Sequence, residues 1–161
     1  MKLKVGIIGF GTMGKIRKDA IVELARAEVI AISDPSLPMN FNELPNLSHS
    51  EIIDHLDVNI IIVCTPNFLN KKLTIEALNA GKHVFCEKPP AFTGSDVLEI
   101  REAEKKSGKK LMYGFNHRHH DSIIKMKELI ESGEYGKVLW SRGRYGKSVT
   151  EDYYNQWRAK K

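Results

Sequence analysis

The chain has no run of about 18 consecutive apolar residues, which excludes a membrane-spanning helix. It has only two cysteines, Cys64 and Cys86, each inside an apolar, strand-like segment. Two are too few for a disulfide framework and predict reduced core thiols in a cytoplasmic setting. Lys2 and Lys4 flank a brief apolar run that glycines interrupt, so no signal peptide is expected. Internal repeats and low-complexity tracts are also lacking. What remains is 161 residues with an apolar share of 42% and a charged share of 28%, enough for one soluble domain, or one with an appendage.

Negative charge is scarce at one end. From Lys137 to Lys161 seven basic residues face only Glu151 and Asp152, and this stretch holds the whole net charge of +5. No recognition-helix or stacking pattern accompanies it. A solvated tail or a site for an anionic substrate fits better than nucleic acid, and neither nucleic acid nor membrane is expected as a partner.

Short runs rich in Val and Ile recur at 3–9, 29–33, 58–64, 83–86 and 110–115, nearly continuous as in strands buried on both faces. Helix-like segments lie between them at 13–27, 50–56, 69–80 and 95–107, two of them closed by Gly81 and Gly108. Alternating strands and helices with short links predict an α/β fold, a Rossmann-type doubly wound parallel sheet. After Phe115 the rhythm changes to a helix over 121–132, closed by Gly133, and a strand with alternating exposure over 138–144.

The first strand runs into Gly9-Phe10-Gly11-Thr12-Met13-Gly14, a Gly-x-Gly-x-x-Gly turn that opens a helix. Gly9 permits a tight turn, Gly11 lets a pyrophosphate approach the backbone, and Gly14 lets the helix pack on the strand. The helix N-terminus offers free N–H groups to phosphate. Asp34 ends the second strand 20 residues past Gly14, where a carboxylate suits the ribose hydroxyls of NAD and repels the 2′-phosphate of NADP. NAD is therefore favoured over NADP.

Glu87-Lys88-Pro89-Pro90 stands at the carboxyl end of the fourth strand, where open parallel sheets bind ligands. Lys88 is either an ammonium that moves a proton beside the nicotinamide or a solvent-facing lysine in a proline turn. Thr65-Pro66-Asn67 follows the third strand, suited either to hydrogen bonds with the cofactor or to capping the next helix. Three histidines crowd Asn116-His117-Arg118-His119-His120, yet neighbours so close in sequence point apart and no Cys or carboxylate pair completes a set, so no metal site is expected. That turn reads instead as polar and substrate-facing, with Arg118 able to grip an anion. Tyr145-Gly146-Lys147-Ser148 mimics a P-loop ending, but Ser141 occupies the position where the leading glycine belongs.

On these residues the chain resembles the glucose–fructose oxidoreductase/inositol dehydrogenase (Gfo/Idh/MocA) family over essentially its whole length. The match includes the Gly9–Gly14 loop, Asp34, Thr65-Pro66-Asn67, the run from Ala80-Gly81-Lys82-His83-Val84 to Glu87-Lys88-Pro89, Phe115-Asn116-x-Arg118, and Gly133-Glu134-x-Gly136-Lys137-Val138. The resemblance implies an NAD-dependent oxidoreductase of sugar, cyclitol or nucleotide-sugar carbinols. It implies Lys88 as the catalytic residue and Glu87 as the group positioning it or the cofactor. Asn116 would join the cofactor site, and Lys88, Arg118 and Tyr145 would face the substrate. A cis Lys88–Pro89 bond is also implied.

Residues 1–118 would form the NAD-binding domain and 119–161 the start of a substrate and dimerisation domain of α+β type. The crossover, with Tyr145 through Ser148 and Trp157-Arg158, looks most like nucleotide-sugar or aminosugar dehydrogenases. Two departures stand out. Asn70 replaces the family's usual His three residues after Asn67, and the sequence ends at Lys161 before the Gly-rich Asp- and His-bearing segment and the large mixed sheet. A homo-oligomer or a partner chain would have to supply that sheet. The alternative is a non-catalytic NAD-binding module, such as a truncated gene product.

Overall fold

The computed structural model describes residues 2–146, 148, 150–155 and 159. Lys147, Trp157 and Arg158 of the crossover motifs lie outside the described residues, as do Lys160 and Lys161 of the basic tail. The chain divides into two units, Met1–Gly114 and Phe115–Lys161.

In the first unit five strands form one parallel sheet. They are β1 (Leu3–Ile8), β2 (Ala27–Ser33), β5 (Ile60–Val63), β6 (His83–Cys86) and β7 (Leu111–Tyr113), in the order β2-β1-β5-β6-β7. Helix α1 (Thr12–Leu24) lies on β1 and β2, while α2 (His49–Asp54), α3 (Asn67–Asn79) and α4 (Gly94–Ser107) complete the unit. Successive strand residues point to opposite faces. Ile8, Ile61, Val63, Val84 and Cys86 join Leu73, Ala77 and Leu78 of α3 in one buried cluster. Val5, Ile7, Ile32 and Ile62 join Phe10 and Ile21 in the other. Both faces are dry, which explains the unbroken apolar runs. The fold is the α/β Rossmann type expected from them.

Boundaries shift where local chemistry intervenes. Helix α1 stops at Leu24 because Ala25 turns left-handed (φ 54°), so β2 starts two residues earlier than its apolar run implied. Gly81 (φ 75°) and Gly108 (φ 66°) close α3 and α4 as their positions predict. The hairpin of β3 (Asn40–Phe41) and β4 (Leu44–Pro45) has no apolar alternation long enough to announce it. Its signal is the turn, since Asn42 (φ 50°) and Glu43 (φ 65°) both take left-handed conformations.

Lys82 is only 9% exposed, and its Nζ donates to the carbonyls of His55 (2.8 Å) and Val58 (2.9 Å). Burial pushes its pKa down. This lysine of the Gly81-Lys82-His83 run staples the α2–β5 turn rather than facing the carboxyl edge of the sheet. Lys82→Met takes a donor from both carbonyls, of which that of His55 keeps the Val58 N–H (3.1 Å), and is expected to cost about 1–2 kcal/mol. Urea unfolding measures it, and a loss below about 0.5 kcal/mol would contradict the staple.

The second unit contains a 3₁₀ turn at Asn116–His119, α5 (Asp121–Ser132) and a 3₁₀ turn at Glu151–Asn155. Gly133 (φ 70°) ends α5. Residues 138–144 form no strand, contrary to the alternation in their sequence. The reason is that a strand exists only in a pair, and among the described residues this unit offers no partner strand. Helix α5 shows an apolar stripe, Ile123, Met126, Leu129 and Ile130, that is exposed.

Candidate functional site

The register of the sheet brings four chain segments to one edge. Ile8 pairs with Ser33 and with Val63, and Val63 pairs with Cys86. The ladder continues one residue further: Gly9 N–H donates to Ser33 (2.8 Å), Cys64 N–H to Ile8 (2.7 Å) and Glu87 N–H to Val63 (2.9 Å). Gly9, Asp34, Cys64 and Glu87 therefore leave the sheet side by side. The strand order reverses between β1 and β5, so this edge carries the switch point where open α/β sheets bind ligands.

Gly9 sits at φ 89°, and a Cβ there would lie 2.6 Å from the Cys64 carbonyl oxygen. The turn can pass over β5 only without a side chain. A Cβ on Gly14 would strike the Gly9 carbonyl oxygen, so the start of α1 presses directly onto the loop. Gly11 is different: a Cβ there meets nothing within 4 Å, and the residue is exposed. Folding does not require glycine at that position. Gly11 caps α1 without a side-chain hydrogen bond, no acid stands in the first turn, and the first intrahelical bond there is Lys15 N–H to Gly11. The N–H groups ahead of Lys15, with the positive end of the helix dipole, face an open cradle suited to phosphate.

Asp34 borders that cradle. Its Oδ2 accepts the Phe10 N–H (2.9 Å), and its Oδ1 accepts the Ser36 N–H (3.0 Å) and hydroxyl (2.6 Å). Partial burial pushes the carboxyl pKa up, but the Ser36 and Phe10 bonds and the charge of Lys15 outweigh it and leave it lowered. The group stays ionised at neutral pH, and a carboxylate has about four acceptor positions, so with three taken it can accept one further hydroxyl. Asn46 holds the backbone beneath it, accepting Asp34 N–H (2.9 Å) and donating to the Asp34 and Leu37 carbonyls (both 2.9 Å).

The family model described as "Oxidoreductase family, NAD-binding Rossmann fold" matches residues 3–115. The chain belongs to the Gfo/Idh/MocA family. NAD is the cofactor of that family. The chain is 34% identical to inositol 2-dehydrogenase of Salmonella typhimurium, covering 95% of this chain and 49% of that one. Among solved structures it resembles myo-inositol 2-dehydrogenase from Lactobacillus plantarum (27% identity, TM-score 0.77, 86% of this chain and 44% of that one). It also resembles scyllo-inositol dehydrogenase from Lactobacillus casei with bound NAD(H) and scyllo-inositol (25% identity, TM-score 0.76, 84% and 43%). The chain spans about half the length of the curated relatives it matches.

Within the Gfo/Idh/MocA signature, Lys88 is exposed and precedes a cis bond to Pro89. Glu87, by contrast, is buried, and its Oε1 accepts from Arg17 Nε (2.8 Å) and Nη2 (2.5 Å). Arg17 also lies over the Phe85 ring, 4.8 Å from its centroid. This ion pair fastens α1, whose N-terminus forms the open cradle, to the strand end that carries Lys88. Thr65 donates its hydroxyl to Asn70 (3.2 Å), and Pro66 caps α3 without a side-chain bond, so Asn67 opens that helix. Sequence reasoning missed Arg17 and Asn46. Burial pushes the Cys64 thiol up to about 12 and the Cys86 thiol up to about 11, which makes both poor nucleophiles.

Asn116, Arg118 and Tyr145 belong to the second unit. There the Tyr145 hydroxyl meets His117 Nε2 at 3.3 Å, His117 stacks on His120 (5.2 Å between centroids), and Arg118 lies over Phe115. Among the described residues no His, Cys, Asp and Glu cluster could hold a metal ion. A groove of about 540 Å³ along α5, lined by Met126, Leu129, Ile130, Tyr135 and Val138, contains none of the predicted site residues.

Proposed function

We propose that this chain is the NAD-binding and proton-transferring portion of an oxidoreductase that acts on a sugar-like or cyclitol carbinol. The single observation that carries this reading is Gly11: glycine where the fold leaves room for a side chain, at a bare helix N-terminus on the β1–β5 switch point. The names of the inositol dehydrogenase relatives support the substrate class. In this reading Gly9, Phe10, Gly11, Thr12, Met13 and Gly14 form the pyrophosphate turn and Asp34 takes the adenosine ribose hydroxyls. Thr65, Pro66 and Asn67 line the same edge from the β5 side. When bound, NAD supplies the hydride acceptor. Lys88 takes the hydroxyl proton as the carbinol carbon gives up its hydride, while Asn116 keeps the cofactor role and Arg118 and Tyr145 the substrate role that the family resemblance implies for them. Two protonated thiols accord with a reducing, cytoplasmic setting.

Calorimetric titration with NAD tests the reading: saturable binding is expected, and none would overturn it. Asp34→Ala should weaken NAD by about tenfold, the equivalent of one charge-assisted hydrogen bond, and should narrow the gap between NAD and NADP. An unchanged preference would remove Asp34 from the cofactor site.

A further inference from the structure

One buried amide connects the loop that carries Lys88 to the loop after β5. Asn70 sits in the first turns of α3 and is 0% exposed. Its Nδ2 donates to the carbonyls of Glu87 (3.2 Å) and Pro89 (2.8 Å), the residues on either side of Lys88. Its Oδ1 accepts the Thr65 hydroxyl at 3.2 Å. The orientation of the amide follows from its partners, because carbonyl oxygens only accept and so require the NH₂ end.

We infer that Asn70 is a positioning residue that aims Lys88 by fixing the main chain at 87 and 89 and ties that aim to Thr65. The inference rests on the reading that Lys88 acts at the nicotinamide end of the cofactor. A lysine side chain is a flexible four-carbon stem, so a protein directs it chiefly through the backbone from which it springs. The two anchored carbonyls bracket that one residue. No water competes at a fully buried amide, so the two bonds hold the main chain firmly. Packing alone would not demand an amide here, since an apolar side chain of similar volume would fill the space. Two donors and one acceptor, each matched to a partner, describe a link between loops.

The experiment compares NADH with ADP-ribose, which lacks the nicotinamide, by titration into the purified protein. Lys88→Ala and Asn70→Asp are both expected to lower NADH affinity, Asn70→Asp by roughly tenfold as two donors become acceptors facing carbonyls, with ADP-ribose binding unchanged. A scaffold role would weaken both ligands together, and that result would overturn the inference. So would an undiminished NADH preference in Asn70→Asp beside a diminished one in Lys88→Ala. An undiminished preference in Lys88→Ala itself defeats the placement of Lys88 and the inference with it. Should Asn70→Asp not fold, Asn70→Ser brings no charge into the core and decides by the same comparison.

Discussion

Gly11→Val is expected to abolish NAD binding and leave folding untouched. A Cβ at this position meets nothing within 4 Å beyond its own chain neighbours, so a side chain there starts out into open space in the free chain. In the proposed complex that space belongs to the pyrophosphate. Displaced from the N-terminus of α1, the phosphates would lose two or more charge-assisted hydrogen bonds of about 1.5–3 kcal/mol each. That is at least a fall of about a hundredfold in affinity. Titration with NAD and a thermal melt together check it. Wild-type affinity in the variant would place the cofactor elsewhere, and a collapsed melt would show that the glycine serves the fold after all.

Arg17→Met should have the largest effect on stability. It removes the cation from a pair whose side chains are 18% and 9% exposed, and leaves the Glu87 carboxylate buried without it. Breaking a buried pair from one side typically costs about 3–5 kcal/mol. Adding Glu87→Gln to the same chain removes the stranded charge and should recover most of the loss. Urea unfolding of the single and double variants measures both terms. A loss below about 1 kcal/mol in Arg17→Met would mean that solvent reaches Glu87 and that the pair contributes little.

The contrast between these two sites shows what the sequence discloses. The five strands are legible because burial on both faces leaves an unbroken apolar run. The Gly9–Gly14 loop and Asp34 are legible because a turn and a helix start impose fixed local spacing. Arg17 is not, since one arginine on an outer helix reads as a solvated charge until its partner 70 positions away is known. Asn70 stands out only as a departure from the family's usual His, and its bonds to residues 17 and 19 positions on exist only in three dimensions. The strand expected at 138–144 fails for the opposite reason: its alternation is local, whereas strand formation depends on a neighbour. Lys82 carries a further lesson, because a lysine inside the most recognisable run of the chain proves to be a backbone staple.

The grip of Asn46 on the loop after β2 bears on how this lineage can change. Asn46 holds main-chain atoms of Asp34 and Leu37 and leaves the Asp34 side chain to other partners. Part of the loop's anchorage is thus independent of what residue 34 carries, the rest being the bonds that the Asp34 carboxylate takes from Ser36 and Phe10. A substitution at 34 then loosens the loop without setting it wholly adrift, and on the role proposed for Asp34 cofactor preference is open to selection in small steps. Gly9 and Gly14 have no such latitude, because backbone contact pins both. One half of the proposed site can drift while these two glycines stay frozen.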